Sequence, residues 1–366
     1  MLANKSLPRS AVGEAENIVV ETAERIFADL ADAQTINRGK SGAWRAPLWQ
    51  ALSEAGLPLS WVSEECGGSG ATLAEGFAVI SAAGRSALAV PLAETMLAGW
   101  LLSQTNIASP QGEMTLAPAR PKDRITINPD GTLSGRLRGI PFASEARHIA
   151  ALAQQASGKA SIALVAAAQC RIEGGRNLGG DSHDTITLDR AVPLVLKPAP
   201  DGFDQTSLLL MGAVVRSLQI AGALETLLDI TVRYSGERVA FEKKISKFQA
   251  VQHNLAKLAG ESAAALTAAT SAADAFADGA IGKDAAFLEA AAAKIRCAEA
   301  AEKAAAIAHQ VHGAIGFTIE HILHRYSLRA LAWRDDFGSE SYWAVELGKR
   351  VAAEGADELW PLVASR

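Results

Sequence analysis

The stretch IAHQVHGAIGFTIEHILHRY, Ile307 to Tyr326, closes a long alanine-rich run and leads into another apolar one. It holds four of the chain's seven histidines, His309, His312, His321 and His324. Two readings compete for it. On helices, residues three apart share a face, so each histidine pair could offer two imidazoles to one metal ion. Catalytic zinc sites add a carboxylate or a third histidine at matched spacing, however, and HExxH is absent, so no metal is expected. The second reading starts from Gly313 and Gly316, which break the alanine-rich helix and precede another predicted to open at Thr318. Glycine lets the backbone approach a ligand closely, and a new helix N-terminus presents free N–H groups to an anion. A phosphate-bearing cofactor fits that geometry, with the histidines as its flanks.

Working outward, segments 206–241, 246–276 and 285–312 are too long and too alanine-rich for ordinary surface helices. Alanine favours helix and has a small side chain, so such helices pack closely in an antiparallel bundle. Phe276, Phe287, Leu288 and Ile295 keep an apolar stripe through the alanines, which a low-complexity linker would lack. Between Thr115 and Pro200 the pattern changes to short alternating or β-branched runs such as HIAALAQ, ASIALVAAA and DTITLD, with a turn at Asn128-Pro-Asp-Gly131. From Glu14 to about Asn106 helical spacing returns. The expected fold is therefore α+β: an N-terminal helical lobe (1–113), a small middle β domain (114–201) and a C-terminal antiparallel four-helix bundle (202–366).

At 366 residues and 49% hydrophobic the chain can bury several layers. Its formal charge of -5 offers no basic field to a nucleic acid or an anionic membrane, so neither is expected as a partner. Three scattered cysteines, Cys66, Cys170 and Cys297, argue against a disulfide framework and for the cytoplasm. The N-terminus has no apolar signal region, and the apolar stretch from Val90 to Leu102, interrupted by Glu94, is too short to cross a bilayer.

Several segments together resemble one family. Gln310-Val-His-Gly313-Ala-Ile-Gly316-Phe317, followed by Glu320-His321 and Arg325-Tyr326, is similar to the Q-x-x-G-G-x-G-[FY] turn of acyl-CoA dehydrogenases. Glu237-Arg238-Val-Ala-Phe241-Glu, with Ile245, Phe248 and Gln249, resembles their E-R-x-x-F-G-x-x-[IL]-x-x-x-Q stretch. Trp49 to Gly56 and Ser63 to Gly70 resemble two N-terminal segments, and the three regions stand in the family's order over nearly the whole chain.

The resemblance implies an FAD-dependent enzyme that removes two hydrogens across the α and β carbons of an acyl-CoA, in fatty acid or steroid degradation. An acidic side chain takes the α-proton and the flavin accepts hydride. It implies Arg238 on the FAD pyrophosphate, in place of a surface pair with Glu242, and Phe241, Ile245 and Phe248 near the adenosine or flavin. Gln310, Gly313 and Ala314 would contact the ADP part, reaching a cofactor held by a neighbouring subunit, and Gly338 would also line the cofactor. A dimer or tetramer and an electron-transferring flavoprotein as acceptor are implied too.

The departures matter as much. The position of the family's usual catalytic glutamate is Phe337, and its alternative position on the first long bundle helix falls at Gly212 and Ala213. Phenylalanine and glycine take no proton. Asp335, Asp336 and Glu340 lie nearby and are read as solvated charges, with Asp336 the only, weak, candidate acid. The family's T-E-P-x-x-G-S-D and W-[IT]-[ST] segments are replaced by Leu116 to Asp123 and Ile140 to Ser144. Glu242 and Ala314 stand where the family has glycines, tolerable where φ is negative. Three functions are consistent with this: a dehydrogenase subunit whose related partner chain supplies the base, a self-sufficient homodimer with an unconventional acid, or a non-catalytic structural partner.

Overall fold

The computed structural model describes residues 14–39, 42–279 and 284–364. Five helices come first: α1 (Glu14–Leu30), α2 (Ala33–Arg38), α3 (Arg45–Glu54), α4 (Leu73–Arg85) and α5 (Leu92–Ser103). α4 opens on a capping box in which Thr72 and Glu75 satisfy each other's backbone N–H, which fixes its start. α5 is buried along almost its whole length, because it is wedged between the helical lobe and the sheet that follows.

The middle region is one mixed sheet. Its strands are β1 (Met114–Ala117), β2 (Thr126–Ile127), β3 (Leu133–Pro141), β4 (His148–Gln154), β5 (Ala160–Ala166), β6 (Arg171–Glu173), β7 (His183–Ala191) and β8 (Val195–Pro198). They lie in the order β6-β7-β3-β2-β4-β5-β8, with β1 parallel to β4. The turn at 128–131 joins β2 to β3 antiparallel: Gly131, at φ 81°, donates to Asn128 O at 2.9 Å, and Asp130 accepts from Thr132 N.

The chain then enters α6 (Gln205–Glu237), α7 (Gln249–Ala277), α8 (Asp284–His312), α9 (Leu323–Trp333), α10 (Glu340–Glu354) and α11 (Leu359–Ala364). α7 and α8 have 29 residues each, about 43 Å of helix. The short links on either side of α7 cannot span that length, so α6, α7 and α8, which pack on one another, run antiparallel. Ala265, Ala269 and Ala272 on α7 and Ala286, Ala290, Ala293, Ala298 and Ala301 on α8 are buried, so small side chains bring the helix axes close.

Among the described residues one helix, α6, is long and apolar enough to cross a membrane, and its apolar window is wholly buried within the protein, while the 90–102 stretch forms the shorter helix α5, as expected. α6 is the central helix of the bundle, packed on α4, α7, α8 and α9.

Candidate functional site

Near the middle of α6 a guanidinium is sealed in the interior. Arg216 is 1% exposed, and beside it lie Glu94 of α5 and Asp336, which follows α9. Arg216 donates to Glu94 Oε1 at 2.6 Å, to Asp336 Oδ2 at 3.0 and 2.9 Å, and to Gln219 Oε1 at 2.5 Å. Asp336 Oδ1 lies 3.0 Å from His183 Nε2 at the start of β7, so one carboxylate links the bundle to the sheet. Burial alone would raise the Asp336 carboxyl, but Arg216 and His183 overcome it and hold the group below the usual carboxylate range. At Glu94 burial outweighs Arg216 and pushes the carboxyl up.

This corrects the reading of Asp336 as a solvated charge and weakens it as an acid. It is 4% exposed, both oxygens are engaged, and its lowered pKa makes it a poor proton acceptor. Asp335 is exposed as expected, while Glu340 is half-buried 3.9 Å from Arg334. Sequence reasoning missed Arg216, Glu94, Gln219 and His183. The available signal was a lone charge inside each of two apolar runs, Glu94 in VPLAETMLAGW and Arg216 in LLLMGAVVRSLQIAGAL.

Next to Asp336, Phe337 is fully buried, with φ +55°. A Cβ added to Gly212 would lie 2.2 Å from Phe337 Cγ, so the ring lies directly over the glycine. The two alternative acid positions are therefore neighbours in space, and one aromatic ring fills the space between them. Phe337 N–H donates to Ala119 O at 3.1 Å and its carbonyl accepts from Trp343 Nε1 at 3.0 Å, which clamps the ring between sheet and bundle. Phe337→Ala is expected to destabilise by about 3–5 kcal/mol through the cavity it leaves. Gly212→Ala should also destabilise through the clash. Urea unfolding of both variants checks this, and a loss below about 1 kcal/mol for Phe337→Ala would show a loosely packed ring. Gly338, expected at the cofactor, is buried against Tyr342 and Trp343.

The other predicted residues gather at one end of the bundle. Arg238 caps the C-terminal end of α6, is exposed and has no ion pair among the described residues; the alternative pairing with Glu242 is not formed. Val239–Ala240 and Lys243–Lys244 then form a two-stranded ribbon around Phe241 and Glu242, at φ +50° and +66°. Positive φ at both central residues defines a type I′ turn, which favours glycine at its second place. The family's glycine has this reason, and Glu242 bears strain. Glu242→Gly is expected to leave the melting temperature unchanged or raise it, where glycine in regular structure would cost about 0.5–1 kcal/mol. Calorimetry checks this, and a lowered temperature would contradict it. Phe241 is 90% exposed, while Ile245 and Phe248 are half-buried behind it.

α8 ends beside this ribbon. Tyr234, one turn before Arg238, stacks on His312 with ring centroids 4.3 Å apart, and its hydroxyl donates to His312 O at 3.2 Å. Gly313–Phe317 forms a short 3-10 turn. Gly313, at φ +65°, has open space where a Cβ would stand, and Gln310, Gly313 and Ala314 are all exposed. Ala314 is not among the residues of positive φ, so its replacement of glycine carries no strain.

The helix predicted at Thr318 opens instead at Leu323. Thr318 N–H is already bonded to Ile315 O at 3.1 Å, and Leu323 N–H is capped by His321 Nδ1 at 3.1 Å. The amides of Thr318 and Leu323 are thus committed, because the turn continues as 3-10 helix and a histidine caps the next start. The other histidines have local roles too. His312 Nδ1 lies 2.7 Å from Ala308 O, His324 Nδ1 2.7 Å from His321 O, and His309 Nε2 2.9 Å from Ser327 Oγ. Burial lowers all four, His312 to about 4, so they are neutral near pH 7. Among the described residues no group of three or more potential ligands is gathered for a metal ion.

The model of the C-terminal domain of acyl-CoA dehydrogenases matches residues 201–341, which include both the α6 end and the α8 turn. The acyl-CoA dehydrogenase IpdE2 of Mycobacterium tuberculosis is 28% identical over 284 residues, 77% of this chain and 80% of that protein. The crystal structure of the ChsE4-ChsE5 complex from Mycobacterium tuberculosis superposes with a TM-score of 0.81 at 24% identity, covering 94% of this chain and 99% of that one. An FAD complex of PigA does so with a TM-score of 0.78 at 18% identity, covering 95% and 100%. The structural likenesses establish the fold. Residues 201–341 thus match the C-terminal domain of acyl-CoA dehydrogenases, and the chain is similar over 77% of its length to a curated acyl-CoA dehydrogenase and shares the fold of these solved structures.

Proposed function

We propose that this chain is the subunit of a hetero-oligomeric, FAD-dependent acyl-CoA dehydrogenase that lacks the proton-removing base, which a related partner chain supplies. The observation that carries this is the Phe337 ring lying on Gly212: neither acid position has a carboxylate, and the space between them is full. A self-sufficient enzyme would need another acid at that junction, and Asp336 is bound to Arg216 and His183. The name of the ChsE4-ChsE5 complex describes two chains in one assembly, which supports a heteromeric reading.

The bundle end fits part of an FAD site. Arg238 offers a free planar guanidinium to phosphate oxygens, Gly313 leaves room for close backbone approach, and Gln310 and Ala314 lie exposed beside it. When bound, the flavin supplies hydride acceptance. This chain's part is to hold and orient its nucleotide portion across a subunit boundary. Phe241, Phe317 and Ile319 are exposed large apolar side chains in the same two turn regions, and a partner chain would cover them. We further propose an acyl-CoA substrate, an electron-transferring flavoprotein as acceptor, and a cytoplasmic setting that suits three free cysteines.

The test is a dehydrogenase assay with the co-expressed related chain. Asp335→Asn and Glu340→Gln are expected to retain turnover, and removal of the partner's acid to abolish it. Loss of turnover with either variant of this chain would place the base here.

A further inference from the structure

α9 is tied to the loop before β7 by a bidentate ion pair. Arg329 Nε and Nη2 donate to Asp181 Oδ2 and Oδ1 at 2.9 and 2.7 Å. One helical turn earlier stands Arg325, whose guanidinium has no ion pair or hydrogen bond among the described residues. Its Nε is buried and unbonded. Asp181 is already occupied by Arg329, and Arg329 adds a like charge beside Arg325. Burial first, and Arg329 second, pull the Arg325 guanidinium down to about 10, the mark of a cation short of a counter-charge.

Arg325 and Arg329 line a small cavity of roughly 180 Å³ together with Arg45, Trp44, Gly39 and Gly180. Arg45 is held by Glu145 at 2.6 Å, so Arg325 is the cation left over. A water's share of liquid volume is about 30 Å³, so the cavity has room for a tetrahedral or planar oxyanion with some water. Through Gly42 and Arg45 it adjoins a larger cleft of roughly 810 Å³ lined by Ser144, Gly175 and Arg176, which leaves space for the body of a ligand whose anionic end sits at Arg325. A guanidinium withdrawn from water without a partner is unfavourable, and its fork matches phosphate and carboxylate oxygens.

We propose that the cavity between Trp44 and Arg45, the loop at Gly180 and Asp181, and α9 binds an oxyanion, phosphate or carboxylate, with Arg325 as its principal donor. This site is separate from the Arg238 and Gly313 region and does not depend on the dehydrogenase reading. The test is thermal unfolding of the full chain titrated with inorganic phosphate, with acetate, and with chloride at matched ionic strength, for the wild type and for Arg325→Leu. Phosphate, acetate or both are expected to raise the wild-type midpoint saturably by several degrees above chloride, and the one that does so identifies the group recognised. The shift should vanish in Arg325→Leu, which in chloride should be at least as stable as the wild type because it loses an uncompensated charge. Equal shifts in both proteins, no saturable shift with either anion, or a variant less stable than the wild type in chloride would each overturn the proposal.

Discussion

Arg216→Leu is expected to destabilise the fold by about 3–5 kcal/mol at pH 7, the range for removing one partner of a buried ion pair. The guanidinium is the bonded cation between Glu94 and Asp336, and all three side chains are almost fully buried. Without it two carboxylates remain in the interior. The pH dependence follows in sign. The folded Asp336 carboxyl lies below its ordinary 3.8, so its contribution is present above that value and is lost as pH falls through the lower folded value. Glu94 lies above its ordinary 4.5, so it favours folding in acid and loses that contribution as pH rises. In the variant both carboxyls lack Arg216 and rise together, so the destabilisation should shrink from pH 7 toward pH 4. Replacing Glu94 and Asp336 by apolar residues as well should recover much of the loss. Urea unfolding at both pH values checks this; a loss below about 1 kcal/mol, or one independent of pH, would mean that the network does not hold α5, α6 and the end of α9 together.

The second large effect is expected at the bundle end. In the proposed assembly with a related chain, Arg238→Ala should remove most of the bound flavin while leaving the chain's own stability nearly unchanged. Arg238 is exposed and makes no ion pair among the described residues, so its loss opens no cavity and strands no charge. A structural residue would show the opposite pattern, with flavin retained and melting temperature lowered. Flavin absorbance per assembly and calorimetry on the same sample separate the two.

Much of this was legible in the sequence because it rests on local periodicity. The alanine-rich runs are α7 and α8, HIAALAQ is β4, and residues 128–131 are the turn between β2 and β3. The short strands β1 and β6 were not legible, since four and three residues carry too little pattern. Thr318 misled because glycines end a helix equally well whether the next begins at once or after a 3-10 turn. The Arg216 network joins residues more than a hundred positions apart, and no spacing rule brings Glu94, Arg216 and Asp336 together. The strain at Glu242 was conditional on φ, which the turn geometry of the ribbon decides.

The most direct measurement is the flavin content of the purified chain alone and of the chain purified with a related acyl-CoA dehydrogenase partner. A chain that holds only part of a shared nucleotide site, with Phe337 in place of a base, should be colourless and inactive alone and carry flavin with turnover in the assembly. A yellow chain that oxidises acyl-CoA by itself would contradict this.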